Sequence, residues 1–231
     1  MNQDRERAIL QYLIKEKRVT VKEMAAKLYA SEPSIRRDLA SLEKQNLIKR
    51  VHGGAVLEEN SISAVKIPFA IREMEQSDEK VAIARKAAEL IKDNDVVFLD
   101  GSTSAYNMIP FLVQKKNITV ITSGIKTLLR LAEYGVKVIS TGGESVNSCM
   151  SLVGEDAVRT VNNYNADICF FSCRGIKDGE LTDISAPENL VRRAMINRAK
   201  ASYFLCAANK QDKSFFHKLC SKDDITGIIT N

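Results

Sequence analysis

From residue 96 onward, short apolar runs alternate with stretches of helical spacing, and no other feature narrows the fold so far. The runs are VVFL (96–99), ITVIT (118–122), VKVIS (136–140), DICFF (167–171), ASYFLCA (201–207) and ITGIIT (225–230). Helical patterns such as AYNMIPFLVQ, IKTLLRLAEY and ENLVRRAMINRA fill most of the gaps. Strands separated by helices cannot pair as hairpins, so the expected architecture is α/β, a mostly parallel sheet with helices on both faces. Ahead of the first run, Ser77 is placed to cap a helix through DEKVAIARKAAELIK. Asp93-Asn94 ends that helix, asparagine being suited to a left-handed C-cap.

The first 57 residues follow a different rule. RERAILQYLIKEKR carries Ile9, Leu10, Leu13 and Ile14 on one helical face. In VTVKEMAAKL, Thr20 and Glu23 have capping-box spacing, which starts a second helix with Met24, Ala25 and Leu28 on its buried side. Ser31 and Pro33 then open a third, with Ile35, Leu39 and Leu42 inward. LIKRVHGGAVL alternates polar and apolar residues around His52-Gly53-Gly54, as a tight glycine hairpin would. Two short helices, a turn between them and a following hairpin describe a winged helix-turn-helix, whose second helix enters a DNA major groove.

On that reading Ser34, Arg36 and Arg37 reach base edges or phosphates, and Lys49, Arg50 and His52 lie along the backbone or minor groove. Arginine suits the task because its planar fork can bond guanine O6 and N7 together. Asp38 is expected to pair with a nearby cation and hold an arginine in position. Charge points the same way. Residues 1–57 hold twelve Lys/Arg against seven Asp/Glu, which accounts for the whole formal charge of +5 and leaves the rest neutral. A basic segment so confined fits a polyanion-binding module. The bland alternative is a three-helix bundle with an incidentally basic face.

Several classes are disfavoured. No run of about 18 apolar residues is present, so no membrane-spanning helix is expected. The opening MNQDRERAILQYLIKEKR lacks the apolar centre of a secretory signal, and a cytoplasmic location is expected. Five cysteines without a CxxC pair read as buried, reduced thiols, and two distant histidines make a metal site improbable. Nothing calls for a cofactor.

The stretch from Arg5 to Val56 resembles the N-terminal domain of the DeoR family of bacterial transcriptional regulators. Its hallmark, Ser/Thr-Ile-Arg-Arg-Asp-Leu followed by a wing ending Gly-Gly-Ala, is met by Ser34 to Leu39 and Gly53 to Ala55. The family more often has threonine at the place of Ser34, and Pro33 stands where it varies. FLDGSTSA, ITVITSGIKT, STGGE, SLVGEDA, ADICFFSCRGI, DGELTD and ITGIITN resemble the same family's sensor domain. That domain is related in fold to ribose-5-phosphate isomerases and CoA transferases and binds phosphorylated sugars or similar metabolites.

The expected organisation is therefore a winged helix-turn-helix over 1–57, a linker over 58–76 and an α/β sensor over 77–231. Ligands of such sheets gather at the carboxyl ends of the strands, where small, hydroxylated loops stand. Carried over by motif, the effector candidates are Asp100, Ser102, Thr103, Ser104, Gly142, Gly143, Arg174 and Lys210. Two departures matter. The family usually reads Asp-Ser-Ser-Lys where this chain has Ala207-Ala208-Asn209-Lys210, and Ser123 stands where asparagine is common. The missing carboxylate removes an acceptor for sugar hydroxyls, so an effector unlike the usual sugar phosphates, or a weakly bound one, is implied.

The leading reading is a sequence-specific DNA-binding regulator, a repressor of carbohydrate genes released by a phosphorylated metabolite. A homo-oligomer is expected, because one helix-turn-helix makes a small footprint. The alternatives are a sugar-phosphate isomerase using Asp100 or Asp183 as base, and a regulator governed by a protein partner.

Overall fold

The computed structural model describes residues 2–45, 47–57, 68–75, 77–146 and 149–231. The chain divides into two compact units, Met1–Glu75 and Gln76–Asn231.

The first unit holds α1 (Asn2–Glu16), β1 (Arg18–Thr20), α2 (Val21–Lys27), α3 (Glu32–Lys44), β2 (Lys49–Val51), β3 (Gly54–Val56) and α4 (Phe69–Met74). Thr20 caps α2 as its spacing requires: its Oγ1 accepts the Glu23 N–H at 3.1 Å, and Glu23 Oε2 accepts the Thr20 N–H at 2.8 Å. Ser31 begins α3 without a side-chain cap; its hydroxyl instead meets that of Ser34 at 2.9 Å. Ile9, Leu13, Met24, Ile35, Leu39 and Leu42 are fully buried together, so the apolar stripes of three helices close one core. Each such side chain contributes about 1.5–3 kcal/mol relative to exposure.

Strands β2 and β3 form the hairpin, and β1 pairs with β3 on its other side, an antiparallel sheet in the order β1-β3-β2. Gly53 takes φ +78°, and a Cβ on Gly54 would lie 2.0 Å from the Val19 carbonyl oxygen. The Gly-Gly pair is thus demanded once by conformation and once by space. Within the stretch read as a linker, 58–67 fall outside the described residues, while α4 sends Ile71 into the core of this unit.

The second unit is built on a six-stranded parallel sheet, β4 (Val96–Leu99), β5 (Thr119–Thr122), β6 (Lys137–Ser140), β9 (Ala166–Phe171), β12 (Ala199–Leu205) and β14 (Gly227–Ile229). All six apolar runs enter it, in the order β14-β12-β9-β4-β5-β6. Alternate residues face opposite layers. Val97, Leu99, Val120 and Phe170 pack under α5 (Ser77–Glu89), α6 (Thr103–Tyr106), α7 (Ile109–Leu112) and α8 (Ile125–Glu133). Phe98, Ile121, Phe171 and Phe204 pack under α9 (Glu155–Asn162) and α10 (Ala186–Asn197). Burial on both faces is why these strands read as continuous apolar runs. Helix α5 runs only from Ser77 to Glu89, so Asp93-Asn94 does not end it as expected; Asn94 takes its φ of +72° in the turn leading into β4.

Two smaller sheets escape the apolar pattern: β7 (Glu144–Val146) with β8 (Ser151–Val153), and β10 (Gly175–Lys177), β11 (Glu180–Asp183) and β13 (His217–Ser221). The chain passes from β4 outward through β5 and β6, then returns to place β9 on the other flank of β4. The strand order therefore switches between β4 and β9, the point beyond whose carboxyl ends open α/β sheets bind their ligands.

Candidate nucleic-acid interface and effector crevice

In the first unit, the buried face of α3 leaves Arg36 and Arg37 exposed and Ser34 half-exposed. Arg37 donates to Ser34 Oγ at 3.3 Å, and Arg36 pairs with Glu32 one turn earlier at 3.2 Å. Lys49, Arg50 and His52 are exposed on the hairpin. Glu43 of α3 accepts the Arg50 N–H at 2.9 Å, which ties the wing to the recognition helix. Arg36, Arg50 and His52 line one cleft of about 340 Å³ between helix and wing, floored by Val21, Leu39 and the Gly-Gly turn. Asp38 does find a cation, but it is Arg5 of α1. The buried carboxylate takes both Arg5 Nε and, at 3.1 Å, Nη2. It fixes α3 against α1 rather than holding a recognition arginine.

In the second unit, the loops after β4 and β9 meet at the switch point. Asp100 is buried and its carboxylate is fully engaged: Oδ1 accepts the Ser102 N–H at 3.1 Å, and Oδ2 accepts the Ser172 N–H at 3.1 Å and Arg192 Nε at 2.9 Å. Ser102 Oγ caps α6 by accepting the Ala105 N–H at 3.1 Å. Thr103 and Ser104 are buried in the first turn of α6, and Ser104 Oγ has no hydrogen-bond partner among the described residues. A second buried hydroxyl without one, Thr127 Oγ1, stands in the first turn of α8 beside Gly124.

After β6, Gly142 and Gly143 take φ +66° and +96°. A Cβ on Gly143 would sit 2.2 Å from the Val153 carbonyl oxygen, so the loop passes too close to β8 for any side chain. Arg174 is half-buried after β9. Lys210 ends a 3-10 turn after β12, and its ammonium donates to Ser172 Oγ, which donates on to the Leu205 carbonyl at 2.6 Å. Asp100, Ser172 and Lys210 are thus joined through direct contacts. Arg174 follows β9, whereas Gly142 and Gly143 follow the edge strand β6, separated from β9 by β4 and β5.

Sequence reasoning missed the group that organises this end of the sheet. Arg192 of α10, buried, bonds Asp100, reaches Asp183 Oδ2 at 2.9 Å and Asn189 Oδ1 at 3.2 Å, and lies 3.5 Å from Glu188. Glu188 in turn accepts from Ser151 Oγ at 2.9 Å. Burial alone would lower the arginine's pKa, but Asp183, Glu188 and Asp100 outweigh it and raise it. Glu188 and Arg192 have i, i+4 spacing, which on sequence reads as an ordinary solvent-facing pair. Cys173, near Lys210 and Arg192, is nonetheless pushed up to about 12 by burial, and burial likewise raises Cys169 and Cys206. All five cysteines are buried and unbridged. No group of metal-ligating side chains occurs among the described residues.

At the departure from the family pattern, Ala207 is buried in the apolar layer shared with α5. The turn that follows it receives a carboxylate from elsewhere: Glu79 of α5 accepts the Ala208 N–H at 2.6 Å.

Residues 5–61 match the DeoR-like helix-turn-helix domain, and residues 75–231 match the DeoR C-terminal sensor domain. The chain belongs to the DeoR family of transcriptional regulators. It is 32% identical to the HTH-type transcriptional regulator GolR of Listeria innocua over 99% of this chain and 90% of that one. It is 30% identical to the HTH-type transcriptional repressor GlcR of Bacillus subtilis over 97% and 86%. Among solved structures, eIF2B delta of Chaetomium thermophilum shares the fold over 67% of this chain and 56% of that one, at a TM-score of 0.51 and 18% identity. A ribose 5-phosphate isomerase A of Methanocaldococcus jannaschii covers 59% of this chain and 55% of its own, at 0.45 and 16%. Among the described residues of this DeoR-family chain, no helix is long and apolar enough to cross a membrane.

Proposed function

We propose that this chain is a cytoplasmic, homo-oligomeric repressor of carbohydrate-use genes that binds operator DNA and is released by a phosphorylated sugar or similar metabolite. The observation that carries the reading is the segregation of charge. Arg36, Arg37, Lys49, Arg50 and His52 stand exposed on one helix and its wing, whereas residues 58–231 are neutral overall and the second unit gathers the hydroxyls of Ser102, Thr103, Ser104 and Ser172 at its switch point. Ser34 and Arg37 are assigned to base edges and phosphates, Lys49, Arg50 and His52 to the backbone. In the crevice, Thr103 and Ser104 face the effector with the Gly142-Gly143 loop, while Arg174 and Lys210 supply positive charge for its phosphate. Asp100 holds Ser102 and Ser172 in place rather than meeting the ligand.

The same geometry speaks against isomerase chemistry. A general base must be free to take a proton, and both carboxylates at hand, Asp100 and Asp183, are bound to Arg192. The test is selection of a preferred duplex from genomic fragments, then gel shifts on it with hexose and pentose phosphates added. Specific binding weakened by one of them supports the proposal. Binding that no phosphosugar alters, or turnover of any of them, refutes the effector half.

A further inference from the structure

Resting on the effector reading above, we infer that Glu79 is the positioning residue that couples the Lys210 turn to the chain leading into the DNA-binding unit. Ala208–Lys210 is a single 3-10 turn without a side-chain cap at Ala207. Its backbone is instead held by Glu79, 129 residues earlier, through the 2.6 Å bond from the Ala208 N–H. That turn also sets Lys210, whose ammonium sits on Ser172, itself bonded through its N–H to Asp100. Hydrogen bonds at both ends, joined by the covalent chain of the turn, therefore connect Asp100 and Ser172 to the first turn of α5.

Where α5 begins gives the contact its meaning. Glu79 is its third residue, and Gln76 alone separates α5 from Glu75, the C-cap of α4. Helix α4 belongs to the first unit, where Ile71 packs into the helix-turn-helix core. A ligand anion that draws Lys210 off Ser172 shifts the turn, and the turn carries the Glu79 carboxylate with it. The displaced end of α5 is the end joined to the DNA-binding unit. Both ions act on the same environment: Lys210 and Glu79 perturb the buried Cys206 thiol in opposite directions. The carboxylate that Ala207 does not supply at this strand end is thus supplied from α5, the helix that follows the DNA-binding unit in the chain.

The bond can be cut from either side. Glu79→Gln removes the charge of the acceptor, and Ala208→Pro removes the donor at an exposed position preceded by extended backbone at ψ 154°. Full-length wild type, both single variants and the double variant are compared by hydrogen exchange without ligand. Each single variant should speed exchange in the second turn of α5 by roughly tenfold or more, as expected for losing a hydrogen bond to a charged group. The double should exceed neither. In a second arm, glucose 6-phosphate, fructose 1-phosphate and inorganic phosphate are added to each protein, with melting temperature and release of the selected duplex followed together. Coupling through Glu79 predicts that the probe raising the melting temperature still does so in the variants, while duplex release is lost. Unchanged exchange in α5, or release from the variants at wild-type probe concentrations, overturns the inference. If no probe shifts the wild-type melting temperature, the effector reading fails instead, and the exchange arm decides the link between turn and helix by itself.

Discussion

The two units handle arginine in opposite ways. On α3 and the wing, Arg36, Arg37 and Arg50 are exposed, and two of them meet only exposed glutamates, pairs worth at most about 1 kcal/mol. In the sensor unit, Arg192 is buried against three carboxylates, Asp100, Asp183 and Glu188. Exposed arginines keep their forks available for a polyanion and cost the fold little when removed. A buried one cannot read anything; it fixes the loops around it, and its loss strands the charges it neutralised. Position relative to solvent, not residue type, separates the arginines proposed for recognition from the one that serves architecture.

The largest effect should come from breaking the buried side of this contrast. Arg192→Ala leaves Asp100, Asp183 and Glu188 without their cation and should destabilise the sensor unit by about 3–5 kcal/mol in urea unfolding. A loss under about 1 kcal/mol would place Arg192 in the exposed class. Next, Gly54→Ala forces a methyl against the Val19 carbonyl, 2.0 Å from an ideal Cβ, and should cost the first unit about 1–3 kcal/mol. Thermal melting of the variant would register it, with the sensor transition unmoved.

On the exposed side, Arg37→Ala should leave both melting transitions within about 0.5 kcal/mol of wild type. Discrimination at one base pair should fall by about 1–3 kcal/mol in competition gel shifts. The smallest effect is expected at Tyr29, a fully exposed aromatic held at φ +48° between α2 and α3. Tyr29→Asn better suits a left-handed backbone and should stabilise the first unit by under about 1 kcal/mol.

The same division explains what could be read from residues alone. All six strands of the parallel sheet were visible because burial on both faces makes each an unbroken apolar run. Ile35, Leu39 and Leu42 likewise announced α3, and the flanking arginines followed by elimination. By contrast, β7, β8, β10, β11 and β13 are short and mixed in polarity, as in ESV and ELTD, so no period separates them from turns. The loop Asp100–Ser104 reads as a candidate site, but that Asp100 is engaged by protein depends on Arg192, 92 residues away. Glu79 gave no local signal either, since an acidic residue in the first turn of a helix is already explained by the helix dipole. Long-range polar partners leave no periodicity, and there sequence reading stopped.

The central claim is that the exposed cations of α3 and the wing, and not the neutral sensor unit, hold the duplex. Affinity for a selected operator, measured from about 50 to 200 mM salt with wild type and with Lys49→Ala, tests it most directly. The account predicts a steep linear fall of log affinity with log salt, a slope smaller by about one for the variant, and a clear preference over random duplex at every salt. Equal affinity for any duplex, or a slope that Lys49→Ala leaves unchanged, would contradict it.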